Sequence, residues 1–310
     1  MKLKSLTSGF GIGTLVFAVA AIIALPVRTI QYFNILEGDT GFYTVYDWSV
    51  YLLFAVLAAA IIGFAVLGFI NRKKLNYSLE TKNRPGFGIL SAAAAIGLII
   101  DAVVCLTVTK SGPDLGLSTA IYETTQTTSY ILLAQAVCAA VSALYFVTVS
   151  VGSLTGKSNA TDFKLLSLAP VLWCIFRLVY RIARTISYIR VSDLFFEMIM
   201  IVFMLVFFMA FAQVNAGINS ENQDWKIGVY GLSAALLALV CFIPRFIVTL
   251  GGHADLIYMY SGAEYCDLGI ALFILSAVIT RLSEKKNESA EEAEEENETE
   301  DAVKAESDKE

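Results

Sequence analysis

WSVYLLFAVLAAAIIGFAVLGFI, from Trp48 to Ile70, runs 23 residues without a charge and stops at Asn71-Arg72-Lys73-Lys74. A helix crossing ~30 Å of hydrocarbon needs ~20 mostly apolar residues, and this stretch supplies them. Seven further segments follow the same pattern, giving spans at about 9–29, 48–70, 87–109, 129–151, 165–184, 193–214, 228–249 and 263–282. The expected fold is an all-α polytopic membrane protein, a bundle of eight transmembrane helices. Runs of small residues such as Ala58–Ala60 and Ser91–Ala95 allow close helix approach in lipid.

Composition agrees. The 310 residues are 57% hydrophobic and 16% charged, against ~25% charged in soluble domains. That excludes a disordered chain and a nucleic-acid binder, and the lipid bilayer becomes the first expected partner. Residues 283–310 differ, with 13 Asp/Glu against 4 Lys, and read as an acidic, self-repelling tail. The body without it carries +3, from the chain total of −6.

Loop charge gives orientation. With the N-terminus cytoplasmic, thirteen Lys/Arg up to Lys286 fall on the cytoplasmic side; the opposite loops hold only Lys110, Arg184 and Arg190. Both termini are expected in the cytoplasm, and the localisation in a cell membrane. Asn76, Asn159, Asn287 and Asn297 begin Asn-x-Ser/Thr sequences on that side, so glycosylation is not expected. Lys2 and Lys4 before the first apolar run raise a signal peptide as an alternative. The run is long and lacks a clear cleavage site, which favours a retained anchor.

The ionisable residues within the spans carry the functional signal, because charge in hydrocarbon is costly and pairs or serves function. At 1.5 Å per residue, Arg28, Asp101, Arg177, Arg181, Arg184, Glu197, Arg245, Glu264 and Asp267 all fall toward the outer half, whereas the inner halves are apolar. Asp47 starts helix 2, and Gln135 takes the equivalent place in helix 4. The basic residues differ by side: ten Lys and three Arg inside, six Arg and one Lys outside. Arginine offers a planar donor fork that grips carboxylates and phosphates in fixed geometry.

Helix 5 stands out. Arg177, Arg181 and Arg184 share a face by their spacing, Trp173 lies one turn below, and Pro170 would permit a kink. Pro26 and Pro244 accompany Arg28 and Arg245 in helices 1 and 7. Aromatic residues crowd the outer rim: Tyr32, Phe33, Phe42, Tyr43, Tyr46 and Trp48 in the first loop, Tyr258, Tyr260 and Tyr265 in the last. They read as an interfacial belt or as cleft walls, with Thr124–Thr128 and Tyr130 adding hydroxyls.

The candidate ligand-binding set is therefore Arg177, Arg181, Asp101, Arg245, Glu197, Trp173, Glu264, Asp267 and Arg28. Three roles for this charge remain open: a closed ion-pair network, a network with arginines free for an anion, and snorkelling to headgroups. No cofactor and no metal are expected. His253 is the only histidine, the five cysteines form no CxxC, and no phosphate-loop or dinucleotide motif occurs. The expected function is binding or sensing of a small anionic ligand or lipid headgroup at an outward-facing pocket. A secondary transporter or permease component is the alternative, followed by a membrane enzyme on a lipid-linked substrate. No catalytic residue is assigned.

Overall fold

The computed structural model describes residues 9–38, 40–72, 84–111, 126–156, 164–183, 192–216, 225–257 and 264–279. They form eight helices: α1 Gly9–Asn34, α2 Trp48–Asn71, α3 Pro85–Ser111, α4 Gln126–Thr155, α5 Ala169–Ala183, α6 Ser192–Ala216, α7 Trp225–Leu250 and α8 Tyr265–Ile279. Seven contain stretches long and apolar enough to cross a bilayer, and α8 is a shorter apolar helix. The chain is an all-α polytopic membrane protein. The acidic segment 283–310 and the four Asn-x-Ser/Thr sites lie outside the described residues.

α7 is the axis. Its most apolar window is 89% buried, against 22% for α1 and 28% for α2. It packs on α1, α2 and α6, while α3, α4 and α5 follow one another around the bundle. α8 fits close beside α3. A Cβ at Gly97 would stand 2.8 Å from Cys266 Cα, and one at Gly269 would stand 2.6 Å from the Ala93 carbonyl oxygen. Only hydrogen side chains let these two backbones approach so closely. Phe273 of α8 then fills the centre, with its ring near Phe87, Phe146 and Phe211.

α5 is built inside out. Trp173, Arg177, Tyr180 and Arg181 are buried, while Leu172, Ile175, Val179 and Ile182 are exposed. This reverses the amphipathicity of a helix on a soluble protein; the apolar face meets lipid. Pro170 does not kink a long span as the sequence suggests. A 3-10 turn, Leu166–Leu168, comes first, and Pro170 is the second residue of α5. There the missing N–H has no helical partner to lose. Pro26 and Pro244 do lie inside α1 and α7.

At one end of the bundle the segment after α1 folds back as a tight turn. Leu36 and Tyr43 form an antiparallel bridge, and Gly41 takes φ +69°. Gly38 packs so tightly on the backbone of Asp255 that any side chain would collide. Asp47 caps α2, its carboxylate accepting from Trp48 N at 2.7 Å. Asp47→Ala is expected to lower stability by about 0.5–1 kcal/mol, read by thermal unfolding in detergent.

Candidate functional site: a buried chain of alternating charge

All nine residues singled out in the sequence stand at this same end, and six helices or their ends bring them together. Arg28 comes from α1, Asp101 from α3, and Trp173, Arg177 and Arg181 from α5. Glu197 is on α6, Arg245 on α7, Asp267 on α8, and Glu264 directly precedes α8. The four arginines are each no more than 3% exposed, so the snorkelling alternative for Arg28 and Arg245 does not hold.

The pairing runs as a chain. Arg28 donates to the Asp193 carboxylate, and Arg245 stands 3.7 Å from the same oxygen. Arg245 donates through Nη1 to Glu197, whose other oxygen is 3.3 Å from Arg181 Nη2. Arg181 Nη2 also donates to Glu264 Oε1, while Arg177 Nη2 takes Glu264 Oε2. Arg177 closes on Asp267, Nη1 to Oδ1 at 2.5 Å and Nη2 to Oδ2 at 3.0 Å. Cation and anion alternate through four arginines and four acids across α1, α5, α6, α7 and the start of α8.

Polar neighbours complete it. Arg28 donates to Gln31 Oε1 at 2.9 Å, Tyr43 Oη at 2.8 Å and Ser192 Oγ at 3.1 Å. Its guanidinium lies over the rings of Tyr32 and Phe196 at 5.1 and 5.2 Å. Tyr32 is a hinge between cations: it accepts from Arg245 Nε at 3.0 Å and donates to Asp193 Oδ1 at 2.8 Å. The Trp173 ring lies 5.2 Å from the Arg177 guanidinium carbon, as the one-turn spacing suggested. Its Nε1–H donates to Asp101 Oδ2 at 2.7 Å.

Three features escape the sequence reading. Asp193, shared by two arginines, was not among the candidate acids. Tyr32, expected at the aromatic rim, is 1% exposed and belongs to the network. Asp47, counted there among the outer acids, caps α2 and joins none of these pairs. The rim itself is carried by Phe42, Tyr46, Trp48 and Tyr265, all exposed. Arg184, Arg190, Tyr258, Tyr260, Thr124 and Thr125 lie outside the described residues, as do the side chains of Lys110 and Thr127. Thr128 is buried and Tyr130 exposed.

Compared with protein-family models, curated proteins and solved structures, the chain matches none. The chemistry of the site therefore has to be argued from its own atoms. Among the described residues the four arginines are buried, and each already pairs with an acid of the same chain. A shallow crevice does occur, but at the opposite end, lined by Gly13, Phe64, Gly68, Val229 and Leu232. It offers no charged group.

Within the network, Glu264 differs from its fellows. Its side chain is 14% exposed, against 4% or less for Asp193, Glu197 and Asp267. It stands before the first turn of α8, its carbonyl accepting from Asp267 N at 3.0 Å. Two guanidinium groups from one face of α5 grip its two oxygens. This is the geometry in which arginines take a carboxylate or phosphate.

Proposed function

We propose that this integral membrane protein binds or senses a small anion at the Arg177–Arg181 clamp, a carboxylate or phosphate in solution or on a lipid headgroup. One observation carries the reading. The clamp holds the two oxygens of a single carboxylate, and that carboxylate, Glu264, is the most exposed of the four acids in the network. Glu264 acts as a tethered stand-in for the ligand. Side-chain rotation releases it without unwinding α8, and an incoming anion takes up the same donors. Each charge-assisted bond contributes about 1.5–3 kcal/mol, so exchange between internal and external anion is near balance. Arg28, Arg245, Glu197, Asp267, Asp101 and Trp173 hold the clamp in register. The positive-inside bias supports an extracytoplasmic opening.

Titration with inorganic phosphate and with acetate, in nanodiscs of zwitterionic lipid, tests this. Glu264→Gln removes the competitor and is expected to tighten binding at least tenfold. Arg177→Lys keeps the charge but loses the fork, and is expected to weaken it at least tenfold. Phosphatidylglycerol nanodiscs, probed by native mass spectrometry, separate a headgroup from a free anion. Binding unchanged in both folded variants would sink the proposal.

Transport is the second reading. It is favoured by a polar contact in the otherwise apolar half, Asn215 Nδ2 donating to Tyr145 Oη at 2.9 Å. Vesicle flux lost on both Arg177→Lys and Asn215→Leu would support it over a sensor.

A further inference from the structure

We infer that Asp101 holds a monovalent cation, a proton or a sodium ion, inside the bundle. The argument starts from charge balance. Among the described residues that face inward at the charged end, the five carboxylates Asp101, Asp193, Glu197, Glu264 and Asp267 meet four guanidinium groups, one negative charge in excess. Four of the acids pair with arginine. Asp101 does not: its contacts are Trp173 Nε1 at 2.7 Å, Gln135 Nε2 at 3.2 and 3.4 Å, and Cys105 Sγ at 3.9 Å. Every one is neutral.

Asp101 is only 7% exposed and lies well inside the α3 span. A bare carboxylate there costs several kcal/mol or more. Its hydrogen bonds from neutral donors offset only part of that cost. Arg177 donates its terminal nitrogens to Asp267 and Glu264 and none of them to Asp101.

Geometry gives the cation a place. Oxygens of Asp101 and Glu264 and the Cys266 sulfur lie within 4.8 Å of one another. A separate observation points the same way. Gln135 is 4% exposed, and its Oε1 has no donor, on the amide whose Nε2 touches both Asp101 oxygens. Two carboxylates and a thiol thus gather here around Asp101, which has no cationic hydrogen-bond partner, as ligands gather around a hard cation or two carboxyls around one proton. Among the described inward-facing groups the excess is a single charge, which a monovalent species balances. The groups facing the position are Cys105 from α3, Gln135 from α4, Trp173 and Arg177 from α5, and Glu264, Cys266 and Asp267 at the start of α8. The inference shares Glu264 with the anion clamp but needs neither ligand exchange nor Glu264 release.

Trp173 is a built-in reporter, because its indole N–H touches the carboxylate. Trp48→Phe/Trp225→Phe leaves it as the single tryptophan and touches neither Asp101 nor its partners. In the full-length protein in nanodiscs, sodium replacing N-methylglucamine at fixed pH, or a proton titration without sodium, is expected to shift Trp173 emission. Asp101→Asn abolishes the shift. A response to sodium at fixed pH assigns sodium. A protonated-carboxyl infrared band that Asp101→Asn removes assigns the proton, including a proton held too firmly to titrate. Aspartate-labelled protein with native Asp101 gives the same band should the variant not fold. No Asp101-dependent emission shift in either titration, with no labelled carboxyl band, overturns the inference. Phosphate binding by the Trp48→Phe/Trp225→Phe protein, with native Asp101, reports separately on the clamp.

Discussion

Arg245→Met is expected to cost the fold about 3–5 kcal/mol, the usual penalty for removing one member of a buried ion pair. Arg245 is 2% exposed and serves Glu197, Asp193 and Tyr32 at once. Methionine fills most of the volume, so the loss is electrostatic rather than a cavity. Glu197 keeps Arg181 at 3.3 Å and Asp193 keeps Arg28, yet each acid then shares fewer donors in a medium that does not solvate it. The measurement is reversible unfolding in detergent or by steric trapping. Adding Glu197→Gln, which removes the stranded charge, is expected to restore part of the loss. A single variant within 1 kcal/mol of the parent would mean the chain of charge contributes little to stability.

Gly269→Leu is the second large effect, and it acts through backbone rather than charge. The added Cβ alone would come 2.6 Å from the Ala93 carbonyl oxygen and 3.0 Å from Ala94 Cα. Neither is the free end of a flexible side chain, so α8 must move away from α3. Overpacking of this kind typically costs about 1–3 kcal/mol. Here the displaced helix also carries Asp267 and the residue next to Glu264, so Arg177 loses geometry on both acids. The expected result is a loss exceeding that of Gly86→Leu, where an added Cβ meets nothing within 4 Å. Equal melting temperatures for the two variants would contradict the close α3–α8 contact.

The spans were legible because lipid demands long apolar runs, and Trp48–Ile70 announces itself. The end of the bundle holding the charge was legible too, since rise per residue converts sequence position into height. What the sequence withholds is azimuth. Nothing in the spacing of α6 tells whether Glu197 turns toward Arg245, Arg181 or both, and the geometry shows both. Asp193 sits at the start of its span, where an acid reads as a solvated helix end; only the approach of α1 and α7 makes it a shared partner. Tyr32 looked like a rim aromatic because its ring is amphipathic; its hydroxyl bridges Asp193 and Arg245 instead. Pro170 failed as a kink signal because the α-helix begins one residue before it. The clamp was legible only in part: the i, i+4 arginines were evident, but not that Glu264 would fill them.

The partners in this chain are made far apart in time. Arg28 and Asp193 are separated by 165 positions, which at about 5–20 residues per second is on the order of ten seconds or more of synthesis. Throughout that interval the first helix carries a cation with no counterpart, and it must wait near the membrane surface or against the insertion machinery. Only when the sixth helix emerges can it settle at its final depth. Assembly at this end is therefore a late event: a nascent chain halted before Asp193 leaves Arg28 without its carboxylate.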